Sequence, residues 1–411
     1  MNNCSEALML EGWKRPLWIF WSVSFLSYVS ANFLGPIFPF FLGTLGLTTQ
    51  SEVAIWTSRL TTATMLPMVF ALPFWGMVGD RLGHKKMVIR AMGGAGLCLF
   101  LTAFVTNVYQ LLALRILHGF LGGFMFACQA YLTRIVPREK TGFAFGALGS
   151  AASTAFTLGP AFGGFLADHY GFRNLYMMTG IVHLFAAAAV FMFITADHPE
   201  TFNKPKVSPL RPLRTVIGNR ILRNMTIFRL SIDAPGMILF PLLPLFIAAA
   251  LNCSVNDMTR LGFVFSITGL GTVLGSLLLG KLGDHMGHRK VLLSCIALTA
   301  ALYPLHTIVH NFVSLNVLRF FMGFIGAGIG PALTAIIVKH ISPDERGVTL
   351  GTMASIGGLG NSLVVYFGGS VLDVIGFNGI FLVLSVVYSA AFVIGLLYVD
   401  KNIKTEVQNV S

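Results

Sequence analysis

Long apolar segments recur along almost the whole chain, and they constrain its fold more than any other feature. An α-helical bilayer crossing needs about 20 apolar residues in a row. Twelve such segments occur, at 17–42, 53–78, 87–106, 111–132, 141–166, 174–195, 222–250, 259–280, 291–309, 314–338, 347–372 and 379–399. Hydrophobic residues make up 55% of the chain and charged residues only 11%, more apolar mass than one water-facing core can bury. The sequence therefore predicts an all-α integral membrane protein with twelve transmembrane helices.

The basic residues indicate which side of the bilayer each connecting segment faces. They cluster in alternate segments and above all at 196–221, whereas the other side holds only Arg173 and Arg260. Cytoplasmic segments carry an excess of Lys and Arg, so both termini and the 196–221 segment are predicted to be cytoplasmic. The expected domains are an N-terminal six-helix bundle at 1–195, a linker at 196–221, a C-terminal six-helix bundle at 222–399 and a cytoplasmic tail at 400–411.

Landmarks of the first half return in the second half at a nearly constant spacing. One glycine-rich loop motif occurs after the second apolar segment and again, 204 positions later, after the eighth. Its first copy contains Gly76, Gly79, Asp80, Arg81 and Gly83, and its second contains Gly280, Gly283, Asp284, His285 and Gly287. Arg115 and Gly119 recur at the same spacing as Arg319 and Gly323. Internal duplication of this kind is typical of secondary transporters, so we expect two pseudo-symmetric bundles.

The loop motif resembles the signature of the major facilitator superfamily. A glycine-and-proline pattern in the fifth segment resembles the antiporter motif of its drug:proton antiporter branch, with Ala155 at a usual glycine position; it comprises Gly146, Gly159, Pro160, Gly163 and Gly164. These glycines, with Pro160 interrupting the backbone, predict a kinked helix with a flat, close-packing face; the alternative is ordinary membrane-helix packing. Arg115 and His118 resemble that branch's arginine motif, although the family usually has Gln at the position of His118. The closest resemblance is to bacterial multidrug-efflux transporters of the inner membrane.

This resemblance implies the major facilitator fold and the export of drug-like organic molecules in exchange for protons, by alternating access. It also implies that the loop with Gly76, Gly79, Asp80, Arg81 and Gly83 is a conformational latch, with Asp284 in its second copy. The small residues allow close helix approach, and Asp80 at a helix end suits the N-terminus of another helix, in the family the eleventh segment. The alternative is a tight cytoplasmic turn whose charges only set topology.

Ionisable residues inside the apolar segments are the candidates for proton coupling. Each costs about 2.5–3.5 kcal/mol to insert, so such residues usually face a partner or a cavity. Asp233 lies about 18 Å along the seventh segment, and the corresponding first-half position is Tyr28. A proton carrier must change charge, which makes Asp233 the first candidate, followed by Arg229, Arg115 and His118. A static ion pair between Arg229 and Asp233 is the alternative.

Other classes of function find little support in the sequence. The net charge of +12 is not gathered into a nucleic-acid-binding patch, and no nucleophile–base set, phosphate loop or metal-ligand spacing suggests an enzyme or a cofactor. We expect a monomer in a lipid bilayer whose partners are a small-molecule substrate and protons. The open alternative is a transporter dedicated to one metabolite, such as a siderophore or sugar-like compound, working as exporter or importer.

Overall fold

The computed structural model describes residues 12–197, 211–253, 257–342 and 345–408. Its α helices are α1 (Lys14–Gly43), α2 (Gln50–Leu82), α3 (His84–Thr102), α4 (Val108–Leu121), α5 (Phe124–Ile135), α6 (Thr141–Phe193), α7 (Arg211–Gly218), α8 (Arg220–Met237), α9 (Leu239–Leu251), α10 (Met258–Met286), α11 (His288–Leu305), α12 (Phe312–Gly326), α13 (Ile329–Val338) and α14 (Arg346–Gln408). A single 3-10 turn precedes α6. No strand occurs in the described part of the chain, in agreement with the all-α prediction.

Within the described residues, the helices include eight stretches that are long and apolar enough to cross a membrane. Two of them, Arg138–Phe193 and Arg346–Leu397, hold 56 and 52 residues, far more than the ~20 residues of one crossing. Each is interrupted by one glycine with positive φ, Gly171 at 76° and Gly376 at 67°. These glycines divide the predicted fifth from the sixth segment and the eleventh from the twelfth.

The chain divides into two compact units. Unit 1 comprises Met1–Thr48, Leu60–Asn203 and Ser254–Ser266, and unit 2 comprises Thr49–Arg59, Lys204–Cys253 and Ile267–Ser411. The main division falls inside the predicted linker, whose middle part, 198–210, lies outside the described residues, as do 409–411 of the tail. The units differ from the predicted bundles in one respect: the first turns of α2 belong to unit 2, and the first turns of α10 to unit 1.

The interior of unit 1 is built by α6, which packs against both α1 and α3. Phe20 and Tyr131 meet edge to face, with ring centroids 5.2 Å apart, and both are buried. Leu17, Leu148 and Val190 are fully buried in the same cluster. Because lipid is as apolar as these side chains, close packing rather than escape from water holds such helices together.

The repeated loop has the same geometry in both halves. Gly83 and Gly287 both have a φ of 92°, a conformation that glycine adopts without strain. His84 Nε2 lies 3.5 Å from Asp80, and His288 Nε2 lies 3.5 Å from Asp284. The sequence repeat is thus a structural repeat at these two turns.

Candidate functional site

The predicted latch loop lies in a charged cluster between the ends of α2 and α5. Asp80 accepts a hydrogen bond from Arg134 Nη2 at 3.2 Å. Burial, and secondarily the charge of Arg134, hold the pKa of the neighbouring His84 below its ordinary value. His84 is therefore mainly neutral at pH 7, and Arg134 is the cation that Asp80 faces within unit 1.

A second carboxylate, Asp197, caps the N-terminus of α3. It accepts hydrogen bonds from the backbone N–H groups of His84 and Lys85 at 2.6 and 3.0 Å, where the helix dipole favours an anion. Arg134 lies 3.5 Å from it. The Asp197 side chain is only 7% exposed, against 56% for Asp80. Asp197 thus caps α3 inside unit 1, and the placement of Asp80 against the eleventh segment stays a prediction.

Sequence reasoning missed Asp197 because 113 positions separate it from His84. The one local signal is Gly83, whose positive φ ends α2 just before α3 begins. A Cβ at Gly83 would lie 2.9 Å from Asp197 Oδ1, so the glycine also makes room for the carboxylate.

Two of the predicted close approaches do not occur within unit 1. No heavy atom of that unit outside the local helix lies within 4 Å of a Cβ built at Gly76 or at Gly146. Gly79 is closely packed, because its Cβ would meet His84 Nδ1 at 2.7 Å. Arg81 is exposed.

The other glycines of the antiporter-like motif form a close-packed line on α6. Cβ atoms at Gly159 and Gly163 would collide with α1 at Asn32 and at the Phe33 backbone. A Cβ at Gly164 would collide with the backbone of Met258 at the start of α10. All three contacts lie within unit 1. The predicted packing face therefore exists, but it begins at Gly159.

Pro160, next to Gly159, interrupts the backbone hydrogen bonding of α6. Proline lacks an N–H and disturbs the helix before it. The next residue, Ala161, donates its N–H to Ser266 Oγ on α10 at 3.0 Å, and Gly262 of α10 approaches the Pro160 carbonyl with no room for a Cβ. Residues 159–164 thus contact both α1 and the first turns of α10.

Arg115 is the centre of a polar cluster inside unit 1. Its Nη2 donates to the Tyr176 hydroxyl at 3.2 Å, and its guanidinium lies 4.2 Å from the centre of the Phe38 ring. His118 interacts electrostatically with Arg115 and His183. The structure therefore brings together Arg115 and His118, as their spacing suggested, and adds Tyr176 and His183 from α6.

The second-half counterpart, Arg319, has a different partner. It is buried, and its Nε donates to Thr268 Oγ1 at 3.3 Å. The following glycines, Gly119 and Gly323, pack against the carbonyls of Thr64 and Thr268, which again lie 204 positions apart. The repeat has thus kept the glycine contact and changed the partner of the arginine.

The structure pairs Arg229 with Asp233 on one face of α8. Arg229 Nε donates to Asp233 Oδ2 at 3.1 Å, four residues along the helix. The two side chains remain 29% and 37% exposed, so the pair is not sealed inside unit 2. Asp233 is the fourteenth of the 32 residues in the apolar stretch Arg220–Leu251, and its depth in the membrane stays a prediction.

No group of three or more His, Cys, Asp and Glu side chains able to hold a metal ion occurs among the described residues. Among the described residues, the charged side chains within the apolar stretches include Arg115 in unit 1 and Arg229, Asp233 and Arg319 in unit 2. Each of these four has a hydrogen-bonding partner, as expected for a charge placed among apolar residues.

Comparison with known proteins gives consistent results. The Major Facilitator Superfamily model matches residues 20–234 and again 225–410. The multidrug resistance protein MdtG of Proteus mirabilis is 29% identical over 371 residues, covering 90% of this chain and 92% of that protein. MdtG of Escherichia coli is 29% identical over 384 residues, covering 93% and 94%.

Among solved structures, the nucleoside transporter NupG superposes with a TM-score of 0.74 at 14% identity, covering 93% of this chain and 99% of NupG. A bacterial homolog of the human lysosomal transporter Spinster superposes with a TM-score of 0.70 at 14% identity, covering 94% and 95%. These likenesses show the fold. Because the family match extends over both halves, the chain belongs to the Major Facilitator Superfamily and is a membrane transporter, not an enzyme.

Proposed function

We propose that this transporter exports drug-like organic molecules across a bacterial inner membrane in exchange for protons, by alternating access. The names of its relatives, multidrug resistance proteins that match over 90% or more of the chain, support drug export over a transporter dedicated to one siderophore or sugar. A monomer with twelve crossings and both termini in the cytoplasm is part of this proposal.

The observation that carries the proton coupling is the ion pair of Arg229 and Asp233. A carboxylate near the middle of an apolar stretch is costly unless it has a function or a permanent partner. Here the partner is held at 3.1 Å while both side chains stay partly exposed. A partly exposed carboxylate is accessible to protons, which a sealed structural pair is not.

Transport in everted membrane vesicles tests the export function. A pH gradient is imposed with the vesicle interior acidic, and uptake of ethidium, Hoechst 33342 and chloramphenicol is measured. We expect uptake of more than one unrelated compound, and we expect nigericin, which collapses the gradient, to abolish it. Vesicles without the transporter are the control. Uptake that is insensitive to nigericin would exclude proton exchange. If none of the three compounds is taken up, the protein is not a drug exporter.

Asp233→Asn tests where the proton binds. Asparagine keeps the size and hydrogen bonding of the side chain but cannot titrate, so uphill accumulation should fall at least about tenfold while exchange of substrate without a gradient persists. Arg229→Gln should also lower uphill accumulation, because Asp233 loses the partner that holds it at 3.1 Å. If Asp233→Asn still accumulates substrate using only a pH difference, the pair is structural, and Arg115 with His118 becomes the next candidate.

A further inference from the structure

A buried tyrosine of α14 contacts the turn of α8 that carries Asp233. The Tyr388 hydroxyl donates to the Ile232 carbonyl at 3.0 Å, one residue before the carboxylate, and it interacts electrostatically with Asp233 itself. A Cβ at Gly236, one helical turn beyond Ile232, would lie 2.9 Å from this hydroxyl. Glycine at that position therefore leaves the space that Tyr388 occupies.

A second buried tyrosine extends the contact. The ring of Tyr303 of α11 packs against that of Tyr388, with centroids 5.3 Å apart, and a Cβ at Gly236 would also lie 3.8 Å from the Tyr303 hydroxyl. Both side chains are almost fully buried. Close packing on Tyr303 therefore restricts the position of the Tyr388 ring and of its hydroxyl.

The first half of the chain lacks this arrangement. The positions that correspond by the repeat to Asp233, Tyr303 and Tyr388 hold Tyr28, Leu99 and His183. Where Gly236 stands in the second half, the first half has Ala31. The fold common to the two halves therefore does not require the tyrosine pair. It occurs in the half that contains the deep carboxylate.

In the described part of the chain, the other charged or titratable groups near the pair are Arg319, His306 and Arg229. Arg319 of α12 interacts electrostatically with both Tyr303 and His306. His306 stacks on Phe381 of α14 at 4.5 Å, and its Nδ1 contacts the carbonyls of Leu302 and Tyr303. Arg229 is the ion partner of Asp233.

We propose that Tyr388, backed by Tyr303, is a positioning residue for Asp233. Its hydroxyl, bonded to the Ile232 carbonyl, holds the turn of α8 that presents the carboxylate. This inference rests on the proton-coupled export proposed above, in which Asp233 gains and loses the proton.

Tyr388→Phe tests this inference, because it removes the hydroxyl and keeps the ring. In proteoliposomes with trapped pyranine to report protons, and with the panel compound that the parent protein transports fastest, we expect proton-driven accumulation to fall about tenfold or more. Exchange without a gradient should be retained, and the pH profile should change. Gly236→Ala, which pushes a methyl group against the same hydroxyl, should have the same effect and guards against a folding defect in Tyr388→Phe.

The matched control is Tyr131→Phe, which removes another buried hydroxyl that donates to a carbonyl at 3.0 Å, that of Thr195, far along the chain from Asp233. It should keep the parent's coupling. If Tyr388→Phe and Gly236→Ala couple protons with the parent's pH profile while Asp233→Asn does not, the inference is wrong and the proposed function stands. If the parent itself moves no protons with substrate, the proposed function fails.

Discussion

Arg134 faces two carboxylates whose surroundings differ greatly. Asp80 is mostly exposed and bonds side chains only, whereas Asp197 is buried and accepts two backbone N–H groups of α3. A solvent-exposed ion pair contributes about 0–1 kcal/mol to stability, and a helix cap typically contributes about 1 kcal/mol and up to about 2. Asp197 should therefore support the folded state, while Asp80 is free to act on conformation.

Asp197→Ala should lower the thermal stability of the purified protein. The loss of the cap leaves the first N–H groups of α3 without their acceptor and should cost about 1–2 kcal/mol. Tryptophan fluorescence during heating in detergent measures it. Asp284→Ala is the control, because its carboxylate is exposed and lies 3.5 Å from a histidine, so its unfolding temperature should match the parent's. Equal shifts in the two variants would contradict the capping role.

Asp80→Asn should reduce transport and leave membrane abundance near that of the parent. The change removes an exposed charge that contributes about 1 kcal/mol or less, too little to unfold the protein. A bias of that size nevertheless shifts a two-state population several-fold. Uptake of a panel compound, normalised to protein on an immunoblot, gives the result. Parent-like uptake across the pH range would mean that the loop only sets topology.

At the scale of single elements, the motif in α6 shows how far sequence reasoning reaches. The spacing of Gly159, Gly163 and Gly164 predicted a flat packing face, and the structure has one. The same reasoning included Gly146, whose Cβ would contact no other helix of unit 1. The tertiary packing determines which face of a helix contacts a neighbouring helix. The positions of the glycines in the sequence do not indicate that face.

Gly163→Ala should destabilise the protein far more than Gly146→Ala. A methyl group at 163 would collide with the backbone of Phe33, which has no rotamer to change, so we expect a cost of about 1–3 kcal/mol. At 146 the methyl group meets no other helix of unit 1 within 4 Å, and alanine is the better helix former by about 0.8–1 kcal/mol. Thermal unfolding of the two variants in the same detergent measures the difference. A similar loss of stability in both variants would contradict the proposed packing face of α6.

The whole molecule could be predicted further from sequence than its site. The apolar segments and the basic residues predict a membrane protein, and the repeat at a spacing of 204 positions predicts two equivalent loops. Both features depend only on the composition and order of the residues. The partners of Asp197 and Tyr388 come from elements more than 100 positions away along the chain. Such pairings follow from tertiary packing, which neither hydropathy nor motif spacing encodes.

The orientation in the membrane is the prediction that concerns the molecule as a whole. In a cysteine-free background, Ser208→Cys in the linker should react with a membrane-impermeant maleimide only when the cytoplasmic side is accessible, as in everted vesicles. The reason is the concentration of Lys and Arg at 196–221, which resists translocation. Thr106→Cys, in the exposed loop between α3 and α4, should show the opposite pattern and serves as the control. Labelling of Ser208→Cys from outside intact cells would overturn the topology. It would also contradict the count of twelve crossings, which requires α3 and α11 to cross the membrane in addition to the eight long stretches.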